Sequence, residues 1–161
     1  MIIRRAVAAD AEAASLVLRR SIVALCGRDH GNDPEILESW LANKTPEKFR
    51  DWVADEDAFC FVAAGDDGTL LGVGLISKEG EIRLNYVSPA ARFQGVSTAL
   101  IDAMEQEARK IGLARITLNS TATAQRFYQA RGYRNEGESR TGRLKDRIQP
   151  MEKDIAGPDR K

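Results

Sequence analysis

The segment from Tyr86 to Leu100 constrains this chain most, because an apolar strand there runs through a short loop into an amphipathic helix. The first N–H groups of a helix have no acceptor inside the helix, and the helix dipole adds partial positive charge at the same end. Gly95 has no β-carbon, so a ligand can approach the loop closely. The segment therefore predicts a diphosphate site made of main-chain groups. The alternative is an ordinary strand-to-helix turn with Arg92 at the surface.

Two segments of the chain resemble the signature segments of the GNAT superfamily of acyl-CoA-dependent N-acetyltransferases. One is the Arg-x-x-Gly-x-Ser pattern of residues 92–97, and the other is residues 120–133, which contain Phe127 and Tyr128. The resemblance covers about residues 57–137, and the first 55 residues only in layout. It implies an α/β (α+β) fold with a mixed sheet of six to seven strands. An antiparallel N-terminal meander and one central parallel pair would be flanked by about four helices.

Hydrophobic periodicity places helices and strands in a matching order. A strand at 2–6 is followed by a helix at 8–25 that Gly27 ends, and Asp33-Pro34 and Thr45-Pro46 carry helix-start signals. Three strands at 58–64, 69–77 and 81–87 form the predicted meander. Further predicted elements are a helix at 96–111, a strand around 116–118, a helix from 120 or 121 to 131 and a last strand at 147–154.

Length and charge limit what the protein can be. A chain of 161 residues suits one domain, here 1–155, followed by a flexible tail at 156–161. With 24 basic and 24 acidic side chains, no net field draws the protein to nucleic acid or to an anionic membrane surface. Cys26 and Cys60 are expected to be reduced thiols, and no apolar leader or membrane span is evident. We therefore expect a cytoplasmic protein.

The resemblance implies which residues bind acetyl-CoA, the acetyl donor. Loop N–H groups of Phe93, Gln94, Gly95, Val96, Ser97 and Thr98 would hold the pyrophosphate, with Arg92 beside it. Family members commonly carry glycine at the position of Phe93, and glycine or alanine at that of Ser97. The strand at 84–87 would splay from its neighbour at 116–119, so that the backbone of Tyr86 and Val87, with Asn119 opposite, meets the pantetheine arm.

The resemblance also assigns roles in catalysis. Tyr128 would be the acid that faces the leaving sulfur, although a plain core aromatic beside Phe127 is the alternative. Glu81 would take the amine proton directly or through water, and the alternative is an exposed carboxylate at a strand end. Asn85 and His30 would contact the acceptor, but which of Asn85 and Tyr86 points inward depends on a strand register that the sequence does not set.

These features predict an N-acetyltransferase that moves acetyl from acetyl-CoA to a primary amine of a small molecule or peptide, directly in a ternary complex. A catalytically silent acyl-CoA sensor is the alternative. No metal is expected, because His30 and Cys26 have no further ligands at metal-binding spacing. Nucleic acid is not expected as a partner, since no basic recognition helix is evident. A homodimer formed through an exposed final strand is left open.

Overall fold

The computed structural model of the protein describes residues 1–141 and 147–156. Within them lie eight strands: β1 (Ile2–Arg5), β2 (Ala58–Ala64), β3 (Leu70–Ser77), β4 (Glu81–Val87), β5 (Arg115–Thr121), β6 (Arg134–Asn135), β7 (Arg140–Thr141) and β8 (Arg147–Asp154). The α-helices of the same residues are α1 (Ala11–Leu25), α2 (Gly27–His30), α3 (Pro34–Leu41), α4 (Pro46–Ala54), α5 (Val96–Lys110) and α6 (Gln125–Ala130).

All eight strands form one sheet in the order β1-β2-β3-β4-β5-β8-β6, with β7 also paired to β8. The first four strands are antiparallel neighbours in chain order, and β4 and β5 form the parallel pair. This architecture confirms the predicted fold class, with one or two more strands and more helices than expected. The additions are the two-residue strands β6 and β7 and the short helix α2.

Hydrophobic residues on both faces of the sheet build the core. On one face α1 and α4 pack through Leu18 and Phe49, which are fully buried. On the other face α5 packs through Leu100 and Met104, which are also fully buried. Strands β2 and β3, which lie between these layers, are therefore apolar along nearly their whole length.

Glycine in β3 brings α5 close to the sheet. A β-carbon on Gly72 would lie 2.6 Å from Cγ1 of Val96 and 3.0 Å from Cδ1 of Leu100. Val96 is the first residue of α5 and follows directly on the loop at residues 92–95. The missing side chain at Gly72 therefore sets how deeply the loop and the start of α5 sit against the sheet.

A β-bulge in β4 decides which way its side chains point. Leu84 pairs with Leu75 and Ile82 pairs with Ile76, so Arg83 is the extra residue. As a result Ile82 packs in the core on the α5 face, whereas Leu84, two residues later, packs on the α1 face. Beyond the bulge Tyr86 follows Leu84 to the α1 face, and Asn85 points to the opposite side.

The parallel pair separates after two residues of contact. Glu81 pairs with Thr117 and Ile82 with Leu118, and the ladder between β4 and β5 ends there. Strand β4 keeps its pairing with β3 as far as Val87, while β5 stays paired with β8 as far as Thr121. The predicted splay is thus present, and a gap opens between two strands that are each supported on their outer side.

Several predicted element boundaries differ from the structure. Gly27 does not end a helix region but begins α2, since α1 already ends at Leu25. Helix α6 begins at Gln125 rather than at Ser120 or Thr121, because β5 continues through Thr121 in its pairing with β8. The start signals at Asp33 and Thr45 are confirmed, and each side chain accepts a hydrogen bond from an N–H of the first turn.

The predicted last strand at 147–154 is confirmed, but it is not an exposed edge. Strand β8 lies between β5 on one side and β6 and β7 on the other. The predicted exposure of the final strand is therefore wrong, and the homodimer stays a prediction. The predicted tail at 156–161 lies outside the described residues except for Ala156. Among the described residues, no helix is long and apolar enough to cross a membrane.

Candidate functional site

A run of main-chain donors without acceptors lies where the loop enters α5. Across the part of the chain that the structure describes, no acceptor contacts the N–H groups of Phe93, Gln94, Gly95, Val96, Ser97 or Thr98. The first helical bond runs from Ala99 N–H to the Gly95 carbonyl, at 3.0 Å. We call these N–H groups, at residues 93–98, the amide cradle. Such a run, with the positive end of a helix dipole behind it, suits a diphosphate.

Two residues of the amide cradle have backbone conformations in the left-handed region. Gly95, the residue before α5, has φ +80°, and a β-carbon there would meet nothing within 4 Å. Phe93 has φ +65°, at a position where glycine would adopt this conformation without strain. Residues in the left-handed region are typical of anion-binding nests, in which successive N–H groups turn toward one side.

Two arginines place positive charge at the amide cradle. Arg131 donates from Nε and Nη2 to Thr98 Oγ1, at 3.2 and 2.9 Å, and its guanidinium lies 5.2 Å from the centre of the Phe127 ring. Arg92 lies at the other end of the cradle, with its guanidinium 4.5 Å from the centre of the Phe93 ring. Arg92 is the predicted phosphate contact, whereas Arg131 has no predicted role, because only the fold brings the end of α6 to the start of α5.

The gap between β4 and β5 is a cavity of about 520 Å³ that reaches the amide cradle. Eleven of the predicted site residues line it, and they are Asn85, Tyr86, Val87, Arg92, Phe93, Gly95, Val96, Ser97, Thr98, Asn119 and Tyr128. Its charged lining residues are Arg83, Arg92 and Arg131. The cavity has room for an extended, phosphate-bearing ligand that passes between the strands.

Tyr128 and Asn85 both line this cavity and contact each other there. Tyr128 is 7% exposed, and its hydroxyl lies 3.4 Å from Nδ2 of Asn85. Oδ1 of Asn85 is buried and has no hydrogen-bond partner among the described residues. Whichever way the amide is turned, one of its polar atoms faces the phenol and the other has no partner. A buried polar atom without a partner is costly, so this arrangement favours a ligand with a complementary group.

Burial raises the pKa of Tyr128 to about 12, and the nearby Asn85 amide opposes this only in part. The phenol therefore stays protonated at physiological pH. Its hydroxyl is available as a proton or hydrogen-bond donor inside the cavity, while its ring also packs in the core, edge to face against Phe127 and Tyr133.

Tyr86 belongs to the opposite wall of the cavity. Its hydroxyl accepts a hydrogen bond from Trp40 Nε1 at 3.3 Å, and Trp40 in turn packs edge to face against His30. The sequence does not set which residue of the pair Asn85 and Tyr86 points inward. In the structure both line the cavity, and the bulge at Arg83 directs Asn85 to Tyr128 and Tyr86 to Trp40.

His30 does not contact the cavity, which corrects its predicted place at the acceptor. The residue is 1% exposed, with Nε2 2.9 Å from the Ile22 carbonyl and Nδ1 accepting from Asn32 N–H. A ring nitrogen that accepts leaves the other one to donate, so the ring is neutral with the proton on Nε2. His30 therefore fixes the turn from α2 to α3 and supports Trp40 from behind.

Glu81 lies in a second recess that adjoins the cavity at Leu118 and Asn119. This recess of about 320 Å³ is lined by Glu81, Thr117, Leu118, Asn119, Glu136, Arg140 and Pro150. Glu81 is half-buried, and its Oε1 is 3.1 Å from Nε of Arg83. The two predicted catalytic residues thus line two different spaces, which share the lining residues Leu118 and Asn119. Gln94, predicted to bind cofactor, is exposed and lines neither space.

Two hydrogen bonds join α2 to Thr123, a residue that lines the cavity. Asp29 of α2 accepts from Thr123 N–H and from Thr123 Oγ1, at 3.3 and 2.5 Å. The two residues are 94 positions apart in the chain, so no local pattern could have predicted the contact. These two hydrogen bonds connect α2, which precedes the meander, to the loop that follows β5.

The chain matches the model of one protein family and, over part of its length, one curated protein. The family model for the acetyltransferase (GNAT) domain matches residues 28–155. The IAA acetyltransferase of Azospirillum brasilense is 31% identical over 85 residues, which are 48% of this chain and 56% of that protein. The chain thus matches about half the length of this curated relative.

Solved structures share the fold. A GCN5-related N-acetyltransferase from Rhodopseudomonas palustris superposes with a TM-score of 0.83 at 24% identity, covering 95% of this chain and 94% of that one. The PaiA N-acetyltransferase of Thermoplasma acidophilum, solved in complex with coenzyme A, gives a TM-score of 0.76 at 23% identity, with 95% and 98% covered.

The protein has three tyrosines, and burial raises the pKa of each of them. An unfolded tyrosine ionises near pH ~10. At pH ~10.5 the native protein should therefore show almost no phenolate absorbance at about 295 nm, while the chain unfolded in guanidinium should be largely ionised. Because the folded pKa values are raised, the free energy of unfolding should fall as the pH rises above ~10. A large phenolate signal with an intact near-UV circular dichroism spectrum would contradict the described burial.

Proposed function

The chain belongs to the GNAT acetyltransferase family, and from that premise we propose that it moves an acetyl group from acetyl-CoA to a primary amine. The acceptor is the amine of a small molecule or a peptide, and transfer is direct, in a ternary complex. The observation that carries this proposal is the amide cradle at residues 93–98, open at one end of a cavity that Tyr128 also lines.

The residues present fit acetyl-CoA. The amide cradle and Arg131 suit the two phosphates, and the cavity between β4 and β5 suits the extended pantetheine arm. Because β4 leaves its parallel neighbour after Ile82, its main-chain groups from Arg83 onward can pair with the amides of that arm as a strand would. The solved coenzyme A complex of a structural neighbour supports the same donor.

Direct transfer needs an amine and a thioester in contact, which the adjoining cavity and recess allow. The amine nitrogen attacks the acetyl carbon, the C–N bond forms and the C–S bond breaks. We infer that Glu81 takes the proton that the amine loses, through a water in the recess it lines. Some proton acceptor is needed because a free alkyl amine with a pKa of roughly 10.4 is mostly protonated at neutral pH.

Tyr128 assists the departing sulfur. Its pKa of about 12 lies well above the value of roughly 8.5 for a thiol, so full proton transfer to the thiolate is uphill. We therefore infer that the hydroxyl acts chiefly by donating a hydrogen bond to the sulfur as negative charge develops there. In a buried site such a bond is stronger than in water, and it is made only as the C–S bond breaks.

Replacing Tyr128 by phenylalanine tests this role. Thiol release from acetyl-CoA should slow by about 10²-fold or more with the best acceptor in a panel of alkyl amines, amino sugars, polyamines and peptides. The affinity for coenzyme A, measured by calorimetry, should change little, because the lost interaction forms mainly in the transition state. Tyr133→Phe is the matched control, since Tyr133 is buried against Glu105 and does not line the cavity. An unchanged rate in Tyr128→Phe would remove Tyr128 from the mechanism.

Glu81→Gln tests the proposed base in the same assay. Turnover should fall at least about tenfold at neutral pH, and part of the loss should be recovered at higher pH, where more of the amine is already deprotonated. The control is Glu79→Gln, because Glu79 is an exposed turn residue outside both spaces. Equal rates for the two variants would show that solvent takes the proton. Binding of coenzyme A without transfer to any amine would instead favour the acyl-CoA sensor.

A further inference from the structure

Phe93 occupies a backbone conformation that its side chain makes unfavourable. Its φ of +65° places a bulky aromatic residue in the left-handed region, where glycine is the usual choice. Members of the GNAT family commonly carry glycine at the position of Phe93. A strained residue at the edge of a binding loop is reason to look for a function of its side chain.

The Phe93 ring makes few contacts with the protein itself. The residue is 90% exposed, more than any other large hydrophobic residue in the described part of the chain. The Arg92 guanidinium lies 4.5 Å from the ring centre, a cation–π distance. Packing in the core therefore does not explain the ring, and most of its surface remains open to a ligand.

The position of the ring relative to the amide cradle points to the ligand. Phe93 provides the first N–H of the cradle and is among the residues that line the cavity, while the residue itself is 90% exposed. When the acyl arm of a ligand fills the cavity and its diphosphate fills the cradle, the group beyond the diphosphate is left on the exposed side, where the Phe93 ring lies. In a nucleoside diphosphate that group is a ribose and an aromatic base.

We propose that Phe93 is a stacking platform for the adenine ring of the acyl donor, with Arg92 beside it against the adjoining phosphates. The proposal rests on the proposed use of acetyl-CoA and adds a contact to the nucleotide end that glycine at this position could not make. Stacking of a base on an aromatic side chain tolerates solvent exposure and needs no hydrogen bond to the base. This accounts for a large apolar side chain at an exposed and strained position.

The test compares two donors by calorimetry: acetyl-CoA, and acetyl-4′-phosphopantetheine, which lacks the nucleotide. Phe93→Leu keeps a β-carbon and a bulky side chain on the same backbone but removes the aromatic face. It should weaken acetyl-CoA binding about tenfold and leave the binding of acetyl-4′-phosphopantetheine unchanged. Phe93→Trp should bind acetyl-CoA within about twofold of the wild type, because an indole also stacks.

Phe93→Gly separates the ring from the backbone strain. It relieves the strain at φ +65° and also lacks the ring, so it should lose the same factor in acetyl-CoA affinity as Phe93→Leu. The proposal that Phe93 stacks on adenine is wrong if the folded Phe93→Leu variant binds acetyl-CoA as tightly as the wild type does. It is also overturned if both donors lose affinity equally, since the side chain would then shape the loop alone. If the wild type binds neither donor, the proposed function fails and the platform fails with it.

Discussion

The short parallel contact between β4 and β5 is the constraint on which the rest of this molecule depends. Two residue pairs hold the strands together at Glu81 and Ile82, and beyond them each strand relies on its outer neighbour. A sheet that opens in its middle exposes main-chain donors and acceptors that would otherwise be paired, and these groups then need water or a ligand as partners. The gap is therefore both a weak point of the fold and the feature that makes a site of it.

The bulge at Arg83 and the glycine at position 72 adapt the surrounding structure to that gap. The bulge rotates the second half of β4, so that Asn85 meets Tyr128 on one side and Tyr86 meets Trp40 on the other. Gly72 lets α5 approach β3 closely enough to hold the amide cradle at the end of the cavity. Neither the bulge nor Gly72 reacts with a ligand. Together they place the protonated Tyr128 phenol and the N–H groups of the amide cradle along the same cavity.

Much of this could be predicted from the sequence, since the informative patterns are local. The strand-loop-helix segment around Gly95, the start signals at Asp33 and Thr45, and the apolar strands each rest on neighbouring residues, and each is confirmed. The sequence did not predict the direction of Asn85 and Tyr86, because a single extra residue in a strand exchanges its two faces without altering the pattern. His30 failed as a predicted contact for another reason, because its burial depends on Ile22 and Trp40 in neighbouring helices.

We propose that the main-chain N–H groups at residues 93–98 hold the diphosphate of the acyl donor. Amide NMR spectra of ¹⁵N-labelled protein, recorded with and without coenzyme A, report on these groups one by one. On this account the resonances of Phe93, Gln94, Gly95, Val96, Ser97 and Thr98 move most on binding, and their hydrogen exchange slows. Saturating coenzyme A that leaves all six resonances in place, while amides elsewhere in the chain respond, would contradict it.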